Sequence, residues 1–210
     1  MNDENESNVI QLIHAAEPAP ETGPKAGLNI HNPCSHVANA QRIVKHFGDQ
    51  LLYVQGIGWH VWESPWKYDE LGARKLVHEL GRIISAEAAA MGPWVAAATS
   101  KTNREEREAA MLARFKWASQ SESAPCVEMS LQCAMPYLAC KAEELDANPM
   151  LLGVGNGVVD LETGEHREHR QADRMTKVAG CNYDPTAKAP TWEKFVSEVF
   201  NGDEELAGYT

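Results

Sequence analysis

The sequence of 210 residues predicts an α+β fold, a mainly helical domain with two small antiparallel β-hairpins. Three observations predict it. Four stretches between residues 36 and 138 repeat apolar side chains at helical spacing. Short aromatic or β-branched runs flank glycine-containing turns at 51–62 and at 150–161. An apolar content of 43% is enough for a sizeable hydrophobic core.

The first 30 residues predict a flexible tail rather than part of the core. They are acidic and contain Pro18, Pro20 and Pro24. A short apolar patch, Val9 to Ile13, could instead form a docking helix. The first folded element is expected to be a helix from His36, with Ser35 as N-cap, Gly48 as stop, and one buried face. The residues of that face are Val37, Ala40, Ile43, Val44 and Phe47.

The next segment predicts a β-hairpin. Leu51–Val54 and Trp59–Trp62 are separated by Gln-Gly-Ile-Gly. Because side chains alternate along a strand, Trp59 and Trp62 should point to opposite faces, so at least one is expected to be partly exposed.

The middle third of the chain is expected to be helical. One helix is predicted from Leu71 to about Ala90, ended by Met91-Gly92-Pro93, and another from Asn103 to Ala118. A third should start at Pro125, with Pro136 breaking or kinking it.

The pattern changes at residue 149. Two apolar runs flank Gly155-Asn156-Gly157, and Asn-Gly is a strong signal for a tight turn in which these residues take positive φ. A phosphate-binding loop is the rival interpretation of these glycines, but GxxxxGK[ST] and a loop lysine are both missing. A structural turn is therefore favoured, followed by further turns at 162–165 and at 183–185.

The last predicted element is an amphipathic helix from Thr191 to Phe200, with Thr191 as its cap and Asn201-Gly202 closing it. Its apolar face would contain Trp192, Phe195, Val196 and Val199.

Charge limits the partners of the protein. There are 19 Lys plus Arg and 30 Asp plus Glu, a net charge of −11, which disfavours a surface uniformly adapted to a polyanion. Contacts with nucleic acid would have to be local. Candidate phosphate contacts are Arg167, Arg170, Arg174 and Lys177, and a second group with Arg104 and Arg107. Both groups are interrupted by acids, so a solvated face is the alternative.

Trp59 and Trp62 are candidates for stacking on single-stranded bases, although core packing is the commoner fate of such residues. Cys126, Cys133 and Cys140 are seven residues apart, and buried thiols fit that spacing better than a metal site does. We therefore expect no metal ligand. An acidic N-terminus without a signal sequence, and no apolar run of about 18 residues, predict a cytoplasmic protein without membrane contact.

Two stretches resemble a known family. Asn39–Asp49, followed by Tyr53-Val54 and Gly58–Trp62, is similar to a helix and hairpin of phage and plasmid primase-helicases, a group with poxviral relatives. The more specific stretch is Leu151–Glu165, which resembles the block just before the helicase core of these proteins. It continues in Tyr183–Ala187, Pro190–Trp192, Phe195 and Gly202–Leu206.

The resemblance implies a collar-like domain at 31–190 that supports ring assembly and the handling of single-stranded or forked DNA. Residues 191–210 would be a helix and linker leading toward a helicase motor, to which ATP and Mg²⁺ would belong. No complete catalytic site is expected within the 210 residues, and no cofactor is assigned to them. The alternative is a stand-alone acidic module, an inhibitor or adaptor, that binds a basic protein partner.

Overall fold

The structure, a computed structural model, describes residues 32–203. The predicted tail and its apolar patch at Val9 to Ile13 lie outside the described residues. The helices are α1 (His36–Phe47), α2 (Glu70–Val77), α3 (Leu80–Ala89), α4 (Gly92–Ala96), α5 (Lys101–Ser121), α6 (Ala124–Leu138) and α7 (Pro190–Val199). The strands are β1 (Leu51–Val54), β2 (Gly58–Trp62), β3 (Trp66–Tyr68), β4 (Ala139–Cys140), β5 (Leu151–Val154), β6 (Gly157–Asp160) and β7 (His166–Arg167).

The strands form two small sheets, in the orders β3-β2-β1-β4 and β5-β6-β7. Strands β2 and β3 pair antiparallel with Trp62 opposite Trp66, and β5 and β6 pair antiparallel with Val154 opposite Gly157. The α+β prediction is thus confirmed. Each sheet is larger than the predicted hairpin, because β3 and β4 extend the first and β7 extends the second. These strands were not predicted, since they are too short to show alternation in the sequence.

Helix α1 begins as predicted. The Ser35 side chain accepts a hydrogen bond from the Ala38 backbone N–H, and the helix ends before Gly48. The predicted buried face is wrong at Val37, which is 53% exposed. The inner face is instead shifted toward Ala38, and it includes two polar residues, Asn39 and Arg42, that are fully buried.

One prediction about the later helices is wrong, and of the break or kink expected at Pro136 the break is absent. The helix expected from Leu71 to Ala90 is interrupted at His78 and Glu79, which separate α2 from α3. Val77 and Leu80, on either side of the interruption, are both buried. Their spacing of three in the sequence is the one that a continuous helix would show. Pro136 does not break α6, which continues to Leu138. It lies in the last turn, where the hydrogen bond lost at proline interrupts little of the helix.

Helix α7 also begins differently from the prediction. Its N-cap is Ala189, which makes no side-chain cap, and Pro190 takes the first helical position. Proline suits that position because its missing N–H has no partner there in any case. Thr191 is therefore inside the helix. The predicted end is confirmed, since the Gly202 N–H donates to the Ser197 carbonyl at 2.8 Å with φ +80° at Gly202.

The chain divides into two compact units. Among the described residues, the first comprises 32–53 and 69–139, and the second comprises 54–68 and 140–203. Buried apolar side chains of the first unit include Ile43, Phe47, Leu51, Val77, Leu80, Ile84 and Leu131, and those of the second include Val54, Trp59, Trp66, Val154, Val158 and Met175.

A polar network lies inside the first unit. The Asn39 amide donates to Ser121 Oγ at 3.0 Å and to Ser130 Oγ at 3.2 Å. Its oxygen accepts from Trp117 Nε1 at 3.1 Å and from Arg42 Nη1 at 3.2 Å. Because every polar atom of this amide is paired, it can be buried without the usual penalty for an unsatisfied group. Among residues 32–203, no helix has the length and apolarity needed to cross a bilayer.

Candidate functional site

The second unit contains an open groove of about 470 Å³. It is lined by Trp62, Ser64, Gly155, Asn156, Glu168 and His169. These residues come from the end of β2, the β2–β3 connection, the β5–β6 turn and the segment after β7. We call this feature the Trp62 groove.

The β2–β3 pairing positions Trp62. Its ring meets the ring of Trp66 edge to face, with centroids 5.3 Å apart. A hydrogen bond fixes Trp66 in turn, because its Nε1–H donates to the Gln171 carbonyl at 3.0 Å. Trp62 is only partly buried, whereas Trp59 is 2% exposed. The prediction that the two point to different environments is confirmed. The Trp59 side chain is core and offers no face for stacking.

The β5–β6 turn forms a second wall of the groove. The Asn156 side chain donates to the Tyr183 carbonyl at 3.0 Å and accepts from the Tyr183 N–H at 2.9 Å. The turn itself is confirmed, but the expectation of positive φ holds at Gly157 alone, with φ +150°. Gly157 is also the closest backbone approach at this turn, since a Cβ there would lie 2.2 Å from the Arg167 carbonyl oxygen. A Cβ at Gly155 would meet only the end of the exposed Asn182 side chain, at 2.3 Å from Oδ1.

His169 and Glu168 form the third wall. The His169 Nε2 lies 3.0 Å from the Val154 carbonyl, which can only accept, so Nε2 carries the proton and the tautomer is fixed. His169 Nδ1 is buried and has no hydrogen-bond partner within the described part of the chain. Glu168 is exposed. The side chains that line the groove therefore include an acid and an unsatisfied imidazole nitrogen, and none is a lysine or arginine.

The predicted basic group after β7 is largely neutralised. Arg167 binds both carboxylate oxygens of Asp173, at 2.7 and 2.9 Å, and these hydrogen bonds raise the pKa of its guanidinium. Arg174 pairs with Glu144. Lys177 lies 4.0 Å from Asp146. Arg170 is exposed and forms no ion pair within residues 32–203.

The second predicted group lies on α5 in the first unit. The Arg107 guanidinium stacks over Trp94, 4.9 Å from the ring centroid, and donates to the Trp94 carbonyl at 2.5 Å. Arg104 is exposed on the same helix. Of the six predicted cations, Arg104 and Arg170 are therefore those that the described contacts leave available for phosphates.

Sequence reasoning missed the groove because its walls come from segments about ninety residues apart. Ser64 and Glu168 were not predicted to take part in any site. His166 and His169 are three residues apart in the sequence but have different partners: the His166 ring stacks on Tyr183 at 4.8 Å, and His169 Nε2 bonds to the Val154 carbonyl. The available signal was the pair Trp59 and Trp62 on one short strand, of which at least one was expected to be partly exposed.

Among residues 32–203, the cysteines and the other possible metal ligands are not grouped at one place. All five cysteines are free, and Cys140 lies on β4 rather than on the helix with Cys126 and Cys133. Burial raises the pKa of the Cys140 thiol. Among the residues that the structure describes, no three histidine, cysteine or acidic side chains are grouped as metal ligands would be.

The family model described as D5 N terminal like matches residues 40–201. This range includes both stretches of the sequence resemblance except Asn39 and residues 202–206. No curated protein matches the chain.

Proposed function

We propose a replication role for this chain, which belongs to the D5 N-terminal-like family found in phage, plasmid and viral primase-helicase proteins. The proposed role is that of a collar-like accessory region, which supports ring assembly and handles single-stranded DNA. ATP and Mg²⁺ would act in a helicase motor of the parent protein. The family match, covering most of the described residues of both units, carries this proposal.

Helix α7 supports the assembly part of the proposal. Trp192, Phe195 and Val199 are each more than half exposed and recur at a spacing of three to four residues. The Trp192 and Phe195 rings are 5.6 Å apart and form a continuous apolar row. Such a row is typical of a surface that another protein covers, and the occupant we propose is a second copy of this chain.

Sedimentation velocity at several protein concentrations tests this part. The unaltered protein should associate more strongly as concentration rises, whereas the double variant Trp192→Ser/Phe195→Ser should remain monomeric. Leu161→Ser removes an equally exposed apolar side chain from a turn and is the matched control. Association that is equal in all three proteins would contradict the role of α7.

The free cations support the DNA part. Arg104 and Arg170 can reach phosphates without breaking a described ion pair. Repulsion from the net charge of −11 opposes them. We therefore propose weak binding that depends on salt. Two phosphate contacts to a single strand correspond to a slope of about −1.4 in log K against log salt concentration.

Fluorescence anisotropy with a labelled single-stranded oligonucleotide and with a forked duplex tests this part. The variant Arg104→Gln/Arg170→Gln should lose most of the binding and most of the salt slope. Lys188→Gln removes an exposed lysine outside both basic groups, so binding should change little. Lack of binding by the unaltered protein at low salt would overturn the DNA part while leaving the family assignment intact.

The second candidate function is an acidic interaction module. The Trp62 groove favours it, because Glu168 lines the groove and no lysine or arginine does. This function predicts a tight complex with a basic protein and no affinity for DNA at low salt.

A further inference from the structure

We propose that the Trp62 groove binds an arginine side chain presented by a basic segment of a partner protein. The inference deepens the second candidate function and does not depend on DNA binding. The guanidinium group of arginine is flat and cationic, and it donates several hydrogen bonds. The three walls of the groove each match one of these properties.

The ring of Trp62 matches the flat cation. Tryptophan is the best aromatic partner for a guanidinium, which stacks on its face. The edge-to-face contact with Trp66 and the pairing of β2 with β3 hold the ring in place. Because Trp62 is half-buried, one part of the indole is left for a ligand. The chain itself uses the same chemistry elsewhere, where Arg107 stacks over Trp94.

Glu168 matches the charge. Its exposed carboxylate has no ion-pair partner within the described residues, and it belongs to the same groove as Trp62. A carboxylate and a guanidinium form two parallel hydrogen bonds, a geometry that lysine cannot reproduce. The net charge of −11 attracts a basic segment and repels a polyphosphate chain.

His169 and Ser64 match the remaining donors. With Nε2–H committed to the Val154 carbonyl, the neutral His169 ring has an acceptor at Nδ1 that lacks a partner among the described residues. Ser64 Oγ offers a second acceptor at the rim. The Asn156 side chain, in contrast, is fixed by one donated and one accepted hydrogen bond with the Tyr183 backbone, and it serves as part of the groove wall.

A stacked nucleobase is the competing occupant, since Trp62 alone would suit a base. The absence of any lysine or arginine from the groove lining favours arginine. A base arrives with its phosphate, and Glu168 would repel that phosphate. The two occupants therefore predict opposite responses to removal of the Glu168 charge.

The test is a titration of the full chain followed by NMR at the indole N–H signal that disappears in Trp62→Phe. The probes are a capped Gly-Gly-Arg-Gly-Gly peptide, the same peptide with lysine, and an oligothymidylate. The arginine peptide should shift this signal and bind at least about three-fold more tightly than the lysine peptide. Glu168→Gln should weaken arginine binding by about ten-fold.

Glu162→Gln is the matched control, because it removes an exposed carboxylate from a turn outside the groove. It should leave the affinity for the arginine peptide unchanged. Thermal unfolding of each variant confirms that the fold is retained. Equal binding of the two peptides, an equal loss in Glu162→Gln, or no shift at all would each overturn the proposal. So would an oligothymidylate that shifts Trp62 more strongly and binds better in Glu168→Gln, which would assign the groove to bases.

Discussion

Arg42 and Glu87 form a two-point ion pair in the first unit. Arg42 Nε lies 2.9 Å from Glu87 Oε1, and Nη2 lies 2.6 Å from Oε2. The Arg42 side chain is fully buried, and Arg114 approaches the same carboxylate at 3.4 Å. The pair joins α1 to α3, so it fixes the position of one helix against the other through a guanidinium that is shielded from water and a carboxylate that is 27% exposed.

Replacing Glu87 should therefore be costly. Glu87→Ala leaves the buried Arg42 guanidinium without its counter-charge, and we expect a loss of about 3 kcal/mol of unfolding free energy. Urea unfolding followed by circular dichroism measures it. Glu79→Ala, which breaks the exposed pair with Arg82, should cost less than about 0.5 kcal/mol. Equal costs for the two variants would contradict a buried role.

The same pair predicts a dependence on pH. Burial alone would raise the pKa of Glu87, but hydrogen bonds and charge from Arg42, and the charge of Arg114, outweigh it and hold the pKa below the ordinary 4.5. A carboxyl whose pKa is lowered by folding stabilises the protein above its unfolded pKa, and the contribution disappears as pH falls through the folded value. The stability difference between the unaltered protein and Glu87→Gln should thus shrink below pH 4.5. A difference that stays constant between neutral and strongly acidic pH would contradict this assignment.

The buried Asn39 amide should be as sensitive as the ion pair. Asn39→Ala leaves two hydroxyls and the Trp117 N–H without their partner, and we expect a loss of about 2–4 kcal/mol. Thermal unfolding monitored by tryptophan fluorescence reports it. Gln120→Ala changes an exposed amide on α5 and should be nearly neutral. Equal melting temperatures for the two variants would show that the network contributes little to stability.

The β5–β6 turn gives a fourth prediction. Gly157→Ala should lower the unfolding free energy by about 1–3 kcal/mol, because φ is +150° there and the new Cβ would lie 2.2 Å from the Arg167 backbone carbonyl oxygen, which cannot rotate away. Gly155→Ala should cost less, since its new Cβ meets only the end of the exposed Asn182 side chain, and Gly180→Ala should be mild since no described atom lies within 4 Å of its new Cβ. Stabilisation of the unaltered protein by ATP would instead favour a nucleotide site at this turn.

Local signals in the sequence predicted much of the fold. Ser35 caps α1 because a hydroxyl before an apolar helical pattern satisfies a free N–H, and the Asn-Gly dipeptide between two apolar runs predicts the β5–β6 turn. The interruption between α2 and α3 gave no signal, because Val77 and Leu80 keep the spacing of a continuous helix.

The features that the sequence did not predict depend on partners that are far apart in the chain. Arg42 and Asn39 look like surface residues until Glu87 and Ser121 are placed beside them, and those partners are 45 and 82 residues away. The Trp62 groove depends in the same way on the joining of distant segments. A single sequence shows which residues could stack or pair, but the choice among possible partners is made by tertiary packing.

The segment after β7 shields an edge of the second sheet. Strand β5 is the outer strand, and its Gly153 carbonyl and Gly155 N–H bond to Ala179 and Cys181 at 2.8 and 2.9 Å. An uncovered row of such groups is a template on which foreign strands can add. The irregular stretch at 179–181 therefore occupies two of the backbone groups on this edge, and a cleavage that released it would leave them open to pairing with a strand of another molecule.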